Sequence, residues 1–134
     1  MSAASIASID LPVRVRYVEC DPMGVVHHTV YPVWFEMART ELLRSKGGSY
    51  RAMEAAGLLL AVVRLDVRYR APARYDDLVT VHCGLVTSGP VKIEHHYRVL
   101  RDGTLLVEGS TTLACIDRDG RLRPVPADLA WNVG

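Results

Sequence analysis

The chain is expected to fold as an α+β domain, with one long helix packed on an antiparallel sheet of five strands. Three observations carry this expectation. A single broad apolar stripe with helical spacing lies between residues 33 and 46. Period-two alternation of apolar residues fills most of the chain after residue 62. Short turn signals join the alternating stretches, which favours hairpins over the long crossovers that parallel strands need.

The elements follow in order. Val13, Val15 and Tyr17 alternate with Arg14, Arg16 and Val18, which predicts a first strand. A loop around Asp21 follows, and a helix opens at Tyr31-Pro32, because proline suits the first helical turn, where its missing N–H costs nothing. Phe35, Ala38 and Leu42 share one face of that helix, widened by Trp34, Met37 and Leu43, so the helix should be well buried. Gly47-Gly48 ends or kinks it, and a shorter helical piece from about Ser49 to Ala56 precedes Gly57.

Val63, Leu65, Val67 and Tyr69 then alternate with Arg64, Asp66, Arg68 and Arg70, a half-buried strand broken by Ala71-Pro72. Val79, Val81, Cys83 and Leu85 mark the next strand, and Ser88-Gly89-Pro90 a turn. Ile93, His95, Tyr97 and Val99 mark the fourth, and Asp102-Gly103 is a strong hairpin signal. The last long strand runs from Leu105 to Asp117, and Pro126 to Trp131 is expected to form a terminal helical turn.

The 134 residues read as one domain over 1–134, with residues 1–10 expected as a flexible tail. A net charge of +1 argues against nucleic acid as the main partner, which normally demands a basic excess. No apolar run approaches the ~20 residues of a membrane span. The first ten residues lack the charged and apolar regions of a signal peptide. Cys20, Cys83 and Cys115 are widely spaced and odd in number, which fits reduced thiols in a cytoplasmic protein. A small domain with an open sheet and one helix gains from oligomerisation, so a homo-oligomer, dimer or tetramer, is expected.

One segment can carry chemistry. Tyr17-Val-Glu-Cys-Asp21-Pro-Met-Gly24-Val-Val-His27-His28 sets a carboxylate just ahead of a helix N-terminus, where unpaired N–H groups and the helix dipole stabilise negative charge. Asp21 is the candidate general base or nucleophile, with the alternative that it is a plain turn residue before proline. Gly24 is read as a backbone position that permits positive φ or close approach of substrate. Glu36 on the long helix is the rival acid. Arg64, Arg68, Arg70 and Arg74 either form a solvated face or meet phosphate groups. His95 and His96 are adjacent in a strand and point to opposite faces, and no zinc spacing occurs, so no metal is expected.

Glu19-Cys-Asp21-Pro-Met-Gly24-Val-Val-His-His28-Thr-Val-Tyr31 resembles the active-site loop of 4-hydroxybenzoyl-CoA thioesterase and of the Tol-Pal-associated acyl-CoA thioesterases. These are hotdog-fold enzymes, and the order of elements matches that fold from about Pro12 to Asn132. The resemblance implies hydrolysis of an acyl-CoA thioester, with coenzyme A as part of the substrate and no other cofactor. It lays the catalytic carboxylate on Asp21 and the carbonyl-polarising helix-end N–H on His28, and it sets Tyr17 and His28 at positions that some members pair with the carboxylate. Where the Tol-Pal-associated members tend to carry Tyr just before the histidine, this chain has His27. The alternatives are a non-catalytic acyl-thioester binding protein and a hotdog dehydratase or hydratase. The latter use a His-Phe-Pro-type loop that His28-Thr-Val-Tyr-Pro32 does not match.

Overall fold

A computed structural model describes residues 5–126. Five strands, β1 (Ala7–Arg14), β2 (Leu58–Tyr69), β3 (Leu78–Ser88), β4 (Lys92–Arg101) and β5 (Thr104–Asp117), form one sheet in the order β1-β3-β4-β5-β2 with every neighbouring pair antiparallel. Two helices, α1 (Val30–Ser45) and α2 (Tyr50–Ala55), lie between β1 and β2 in the chain.

The hairpins form where the turn residues demand them. Asp102 and Gly103 both have positive φ, at 50° and 80°, as the two-residue turn between β4 and β5 requires. Alternation then sets the faces: Val81, Val99 and Val107 lie side by side across β3, β4 and β5, fully buried beneath α1. Trp34, Phe35, Ala38, Leu42 and Leu43 are the buried stripe of α1 that meets them. Phe35 stacks on Tyr97 with ring centroids 4.2 Å apart, and its ring edge covers Gly109.

Some expectations are corrected. Residues 7–10, expected in a flexible tail, form the first half of β1, because Ala7 to Asp10 pair with Leu85 to His82. The first strand ends at Arg14, and Tyr17 sits in a 3-10 turn (Tyr17–Glu19). Met37 is exposed, because α1 does not reach across β2. β2 begins at Leu58, and a register shift between Val62 and Arg64 explains why its alternation is legible only beyond Val63. The terminal turn expected over Pro126 to Trp131 lies almost wholly outside the described residues.

Among the described residues β2 pairs only with β5, and its other edge is free. Val62, Val63, Leu65 and Tyr69 on this strand are exposed, as are Val33 and Met37 on the neighbouring side of α1.

Candidate active site

The segment between β1 and α1 folds into a small hairpin. The His27 N–H donates to the Glu19 carbonyl at 2.9 Å, Cys20 pairs with Val26, and the Asp21 N–H donates to the Val25 carbonyl at 2.9 Å. At its tip the Gly24 N–H donates to the Asp21 carbonyl at 2.9 Å, with Gly24 at φ +79°, a conformation that other residues rarely adopt. Asp21 is partly exposed. Its Oδ1 accepts the Met23 N–H at 2.9 Å, and Oδ2 has no hydrogen-bond partner among the described residues. One carboxylate oxygen therefore holds the turn and the other is free to act.

The second strand of this hairpin leads straight into α1. The His27 carbonyl accepts the Val30 N–H at 3.0 Å. His27 Nδ1 lies 2.7 Å from the Thr29 hydroxyl and accepts the Thr29 N–H at 3.2 Å, so neutral His27 carries its proton on Nε2. The His28 carbonyl accepts the Tyr69 hydroxyl at 2.8 Å, which ties the head of the helix to β2. The His28 N–H has no acceptor among the described residues. The hairpin thus joins a carboxylate with a free oxygen to an open backbone donor at the positive end of α1.

Sequence reasoning missed what holds this arrangement. Glu19 is 5% exposed, and its carboxylate accepts the Arg16 N–H at 2.7 Å and the Trp34 indole N–H at 2.8 Å. Both strands of the hairpin are thereby anchored to α1: one through the Glu19 side chain, the other through its carbonyl. Behind them Tyr31 packs edge-on against Trp34 and Tyr69, at 5.1 and 5.6 Å. Burial works to raise the Glu19 pKa, but the bonds from the Arg16 N–H, the Trp34 indole and the Arg16 guanidinium outweigh it and hold the carboxyl below its ordinary value.

That balance makes a prediction. Glu19→Ala leaves the buried Trp34 indole N–H and the partly buried Arg16 N–H without their acceptor and should cost about 2–3 kcal/mol in urea unfolding at pH 7. The advantage of the wild type over Glu19→Gln should hold at neutral pH. It should fade as pH falls below about 4.3 and then through the depressed folded pKa, because the unfolded carboxyl takes up its proton first. An advantage that grows on acidification would contradict this role.

The other candidates separate in space. Tyr17 is 80% exposed, packs edge-on against Tyr75 at 5.5 Å, and makes no hydrogen bond to Asp21 or His28 among the described residues. Glu36 lies on α1, pairs at 3.9 Å with Arg39, and has no described contact with the hairpin. Arg64 pairs with Asp66 at 2.8 Å and Arg70 with Glu108 at 2.6 Å, and Arg64 and Arg68 share the sheet face opposite α1. Arg74 alone of the four reaches the hairpin, through its backbone pairing with Val25. His95 is buried under α1, whereas His96 faces Glu94 at 3.2 Å on the opposite side. Among the described residues no three His, Cys, Asp or Glu side chains gather to hold a metal ion.

Comparison with known proteins identifies the family and the fold. The family model of the thioesterase-like superfamily matches residues 15–133. The acyl-CoA thioester hydrolase YbgC of Escherichia coli O6:H1 is 35% identical over 107 residues, covering 79% of this chain and 80% of YbgC. A hypothetical protein from Thermus thermophilus superposes with a TM-score of 0.86 at 39% identity, over 92% of each chain. The DHNA-CoA thioesterase of Staphylococcus aureus superposes with a TM-score of 0.83 at 32% identity, over 90% of this chain and 81% of that one.

Proposed function

Given that the chain belongs to the thioesterase-like superfamily and is a hotdog-fold thioester hydrolase, we propose that it cleaves acyl-CoA thioesters at the Asp21 hairpin. The observation that carries this reading is the joining of a free Asp21 oxygen and the open His28 N–H by one hairpin. The thioester carbonyl accepts the His28 N–H, which stabilises the oxyanion of the tetrahedral intermediate. Asp21 either takes a proton from water as the water attacks, or attacks the carbonyl itself to form an anhydride that water then opens. In both routes the C–S bond breaks and the thiolate leaves without prior protonation, because its conjugate acid has a pKa of only about 8.5. Gly24 keeps the tip of the hairpin clear for substrate, and Tyr17 stands at its rim. No metal or redox cofactor enters this scheme; coenzyme A is part of the substrate. Arg74, beside the hairpin, is the residue assigned to the coenzyme A phosphates.

The reading is tested by free-thiol release across short, long and aromatic acyl-CoAs. Turnover of at least one class is expected. Tight binding with no thiol released would instead identify a non-catalytic acyl-thioester binding protein.

We also assign the protein to the cytoplasm and to a homo-oligomer, a dimer or a tetramer. The free edge of β2, with exposed Val62, Val63 and Leu65, supports pairing with the same strand of a second copy, which would set the site near the subunit boundary. Light scattering at micromolar concentration should give at least twice the chain mass, and a stable monomer would count decisively against this assembly.

A further inference from the structure

Two turns along α1 from the hairpin, a cavity of about 310 Å3 opens between α1, α2 and β2. Met53, Leu58, Leu60 and Leu113 contribute its apolar wall, and the polar wall holds Arg39 and Tyr50 together with the carboxylates of Glu36 and Glu54. A small recess continues past the same Arg39, Tyr50 and Leu60 to His95.

The polar groups here are underused. The Arg39 side chain is only 11% exposed, and a guanidinium carries five N–H donors. Its described partners are the Tyr97 hydroxyl, at a long 3.5 Å, the Glu36 carboxylate, at 3.9 Å, and the Tyr50 hydroxyl. The Glu36 side chain is itself 71% exposed and stands in water at the mouth of the cavity. Tyr97 is already engaged with the Thr111 hydroxyl at 2.6 Å. His95 is buried, and its Nδ1 has no hydrogen-bond partner. Burial first, and then the charge of Arg39 and His96, pushes the His95 pKa down to about 3, so the ring is neutral and can donate or accept. A largely buried guanidinium whose nearest described carboxylate, Glu36, is solvated and 3.9 Å away, at a cavity with one apolar wall, suits an acidic head on an apolar body.

Apolar residues on the inner face of β2 form a track in the chain between the hairpin and this cavity, along the edge assigned above to the subunit boundary. Tyr69, Leu65 and Val62 are exposed along the inner face of β2, from the hydroxyl that binds the His28 carbonyl toward Leu60 in the cavity wall. Val33 and Met37 flank the track on α1. From Tyr31 to Arg39 the helix rises about 12 Å.

We propose that this cavity is the far end of the acyl pocket and selects acyl groups that terminate in a carboxylate, with Arg39 as the partner of that carboxylate. The proposal rests on the thioesterase reading above. With the thioester carbonyl at the His28 N–H, the chain follows the β2 track and its terminal carboxylate meets Arg39, with Tyr50 and His95 beside it.

The test compares kcat/KM for sebacoyl-CoA with decanoyl-CoA, and for suberoyl-CoA with octanoyl-CoA. The wild type should favour the acid-terminated member of at least one pair by about tenfold or more, the scale of a hydrogen bond to a charged group. Arg39→Met should abolish that ratio, and Tyr50→Phe should reduce it. Equal rates in both pairs, a preference for the plain chains, or a preference that survives Arg39→Met overturns the proposal. If Arg39→Met fails to fold, a ratio unchanged in Tyr50→Phe does the same. Calorimetric titration with free sebacate separates the two readings. If no thioester is hydrolysed, the thioesterase reading fails by itself, while sebacate binding that Tyr50→Phe weakens still supports a carboxylate site. Absence of sebacate binding in that case removes the cavity proposal as well.

Discussion

Asp21→Asn is expected to lower kcat by at least about two orders of magnitude and leave the fold intact. Asparagine keeps an Oδ1 that can accept the Met23 N–H, so the turn survives. It replaces the free carboxylate oxygen with an amide nitrogen, which can neither take a proton from water nor attack a carbonyl. Two controls give the result its meaning. His28→Ala should do less damage, because the backbone N–H that meets the carbonyl remains and only the imidazole is lost. Glu36→Gln should retain turnover within a few fold on plain acyl chains, since Glu36 has no described contact with the hairpin. Near-normal activity in Asp21→Asn with loss in Glu36→Gln would move catalysis to the helix acid. Equal, severe losses in Asp21→Asn and His28→Ala would assign acid–base work to the imidazole.

The second large effect is on stability, at a position with no side chain. A Cβ built on Gly109 lies 2.7 Å from the Asp66 carbonyl oxygen and 2.7 Å from Phe35 Cε2. Neither neighbour can give way easily. The carbonyl belongs to the backbone of β2, and the Phe35 ring is stacked against Tyr97 on the sheet. Gly109→Ala should therefore cost about 2–3 kcal/mol, as overpacking does, and lower Tm by roughly 10 °C. Displacing β2 also displaces Tyr69, whose hydroxyl holds the His28 carbonyl, so kcat should fall along with stability. A variant with wild-type Tm would show that the α1–sheet contact has room for a methyl group and would contradict this expectation.

Much of the fold was legible because its signals are local. Alternation in β3, β4 and β5 marks the buried face residue by residue, and Asp102-Gly103 marks the hairpin between the last two. Asp21 and Gly24 were legible because a turn and a helix start are written within a dozen residues. What escaped depends on partners distant in sequence. The run from Ala7 to Asp10 carries one large apolar residue, Ile9, too few to show a period, and its pairing with β3 makes it a strand. Glu19 reads as a solvated charge until Trp34, fifteen residues on, brings an indole N–H to it. Tyr69 is an ordinary strand residue by period, and nothing nearby in the chain announces its bond to His28. Met37 belongs to the apolar stripe by spacing, yet in the single chain it is exposed.

The strand order also governs when structure can appear. β3, β4 and β5 are consecutive hairpins and can pair as they are made, whereas β1 waits for β3 and β2 waits for β5. On a ribosome, α1 therefore emerges with Trp34 and Phe35 lacking the sheet they cover, and β2 emerges with neither edge satisfied. The low contact order of the three-strand meander makes it the natural nucleus, and the N-terminal half condenses on it late. The Asp21 hairpin, hung between β1 and α1 and pinned by Tyr69 of β2, is among the last parts to assemble. Substitutions in β4 should slow folding, while those in β2 should chiefly hasten unfolding.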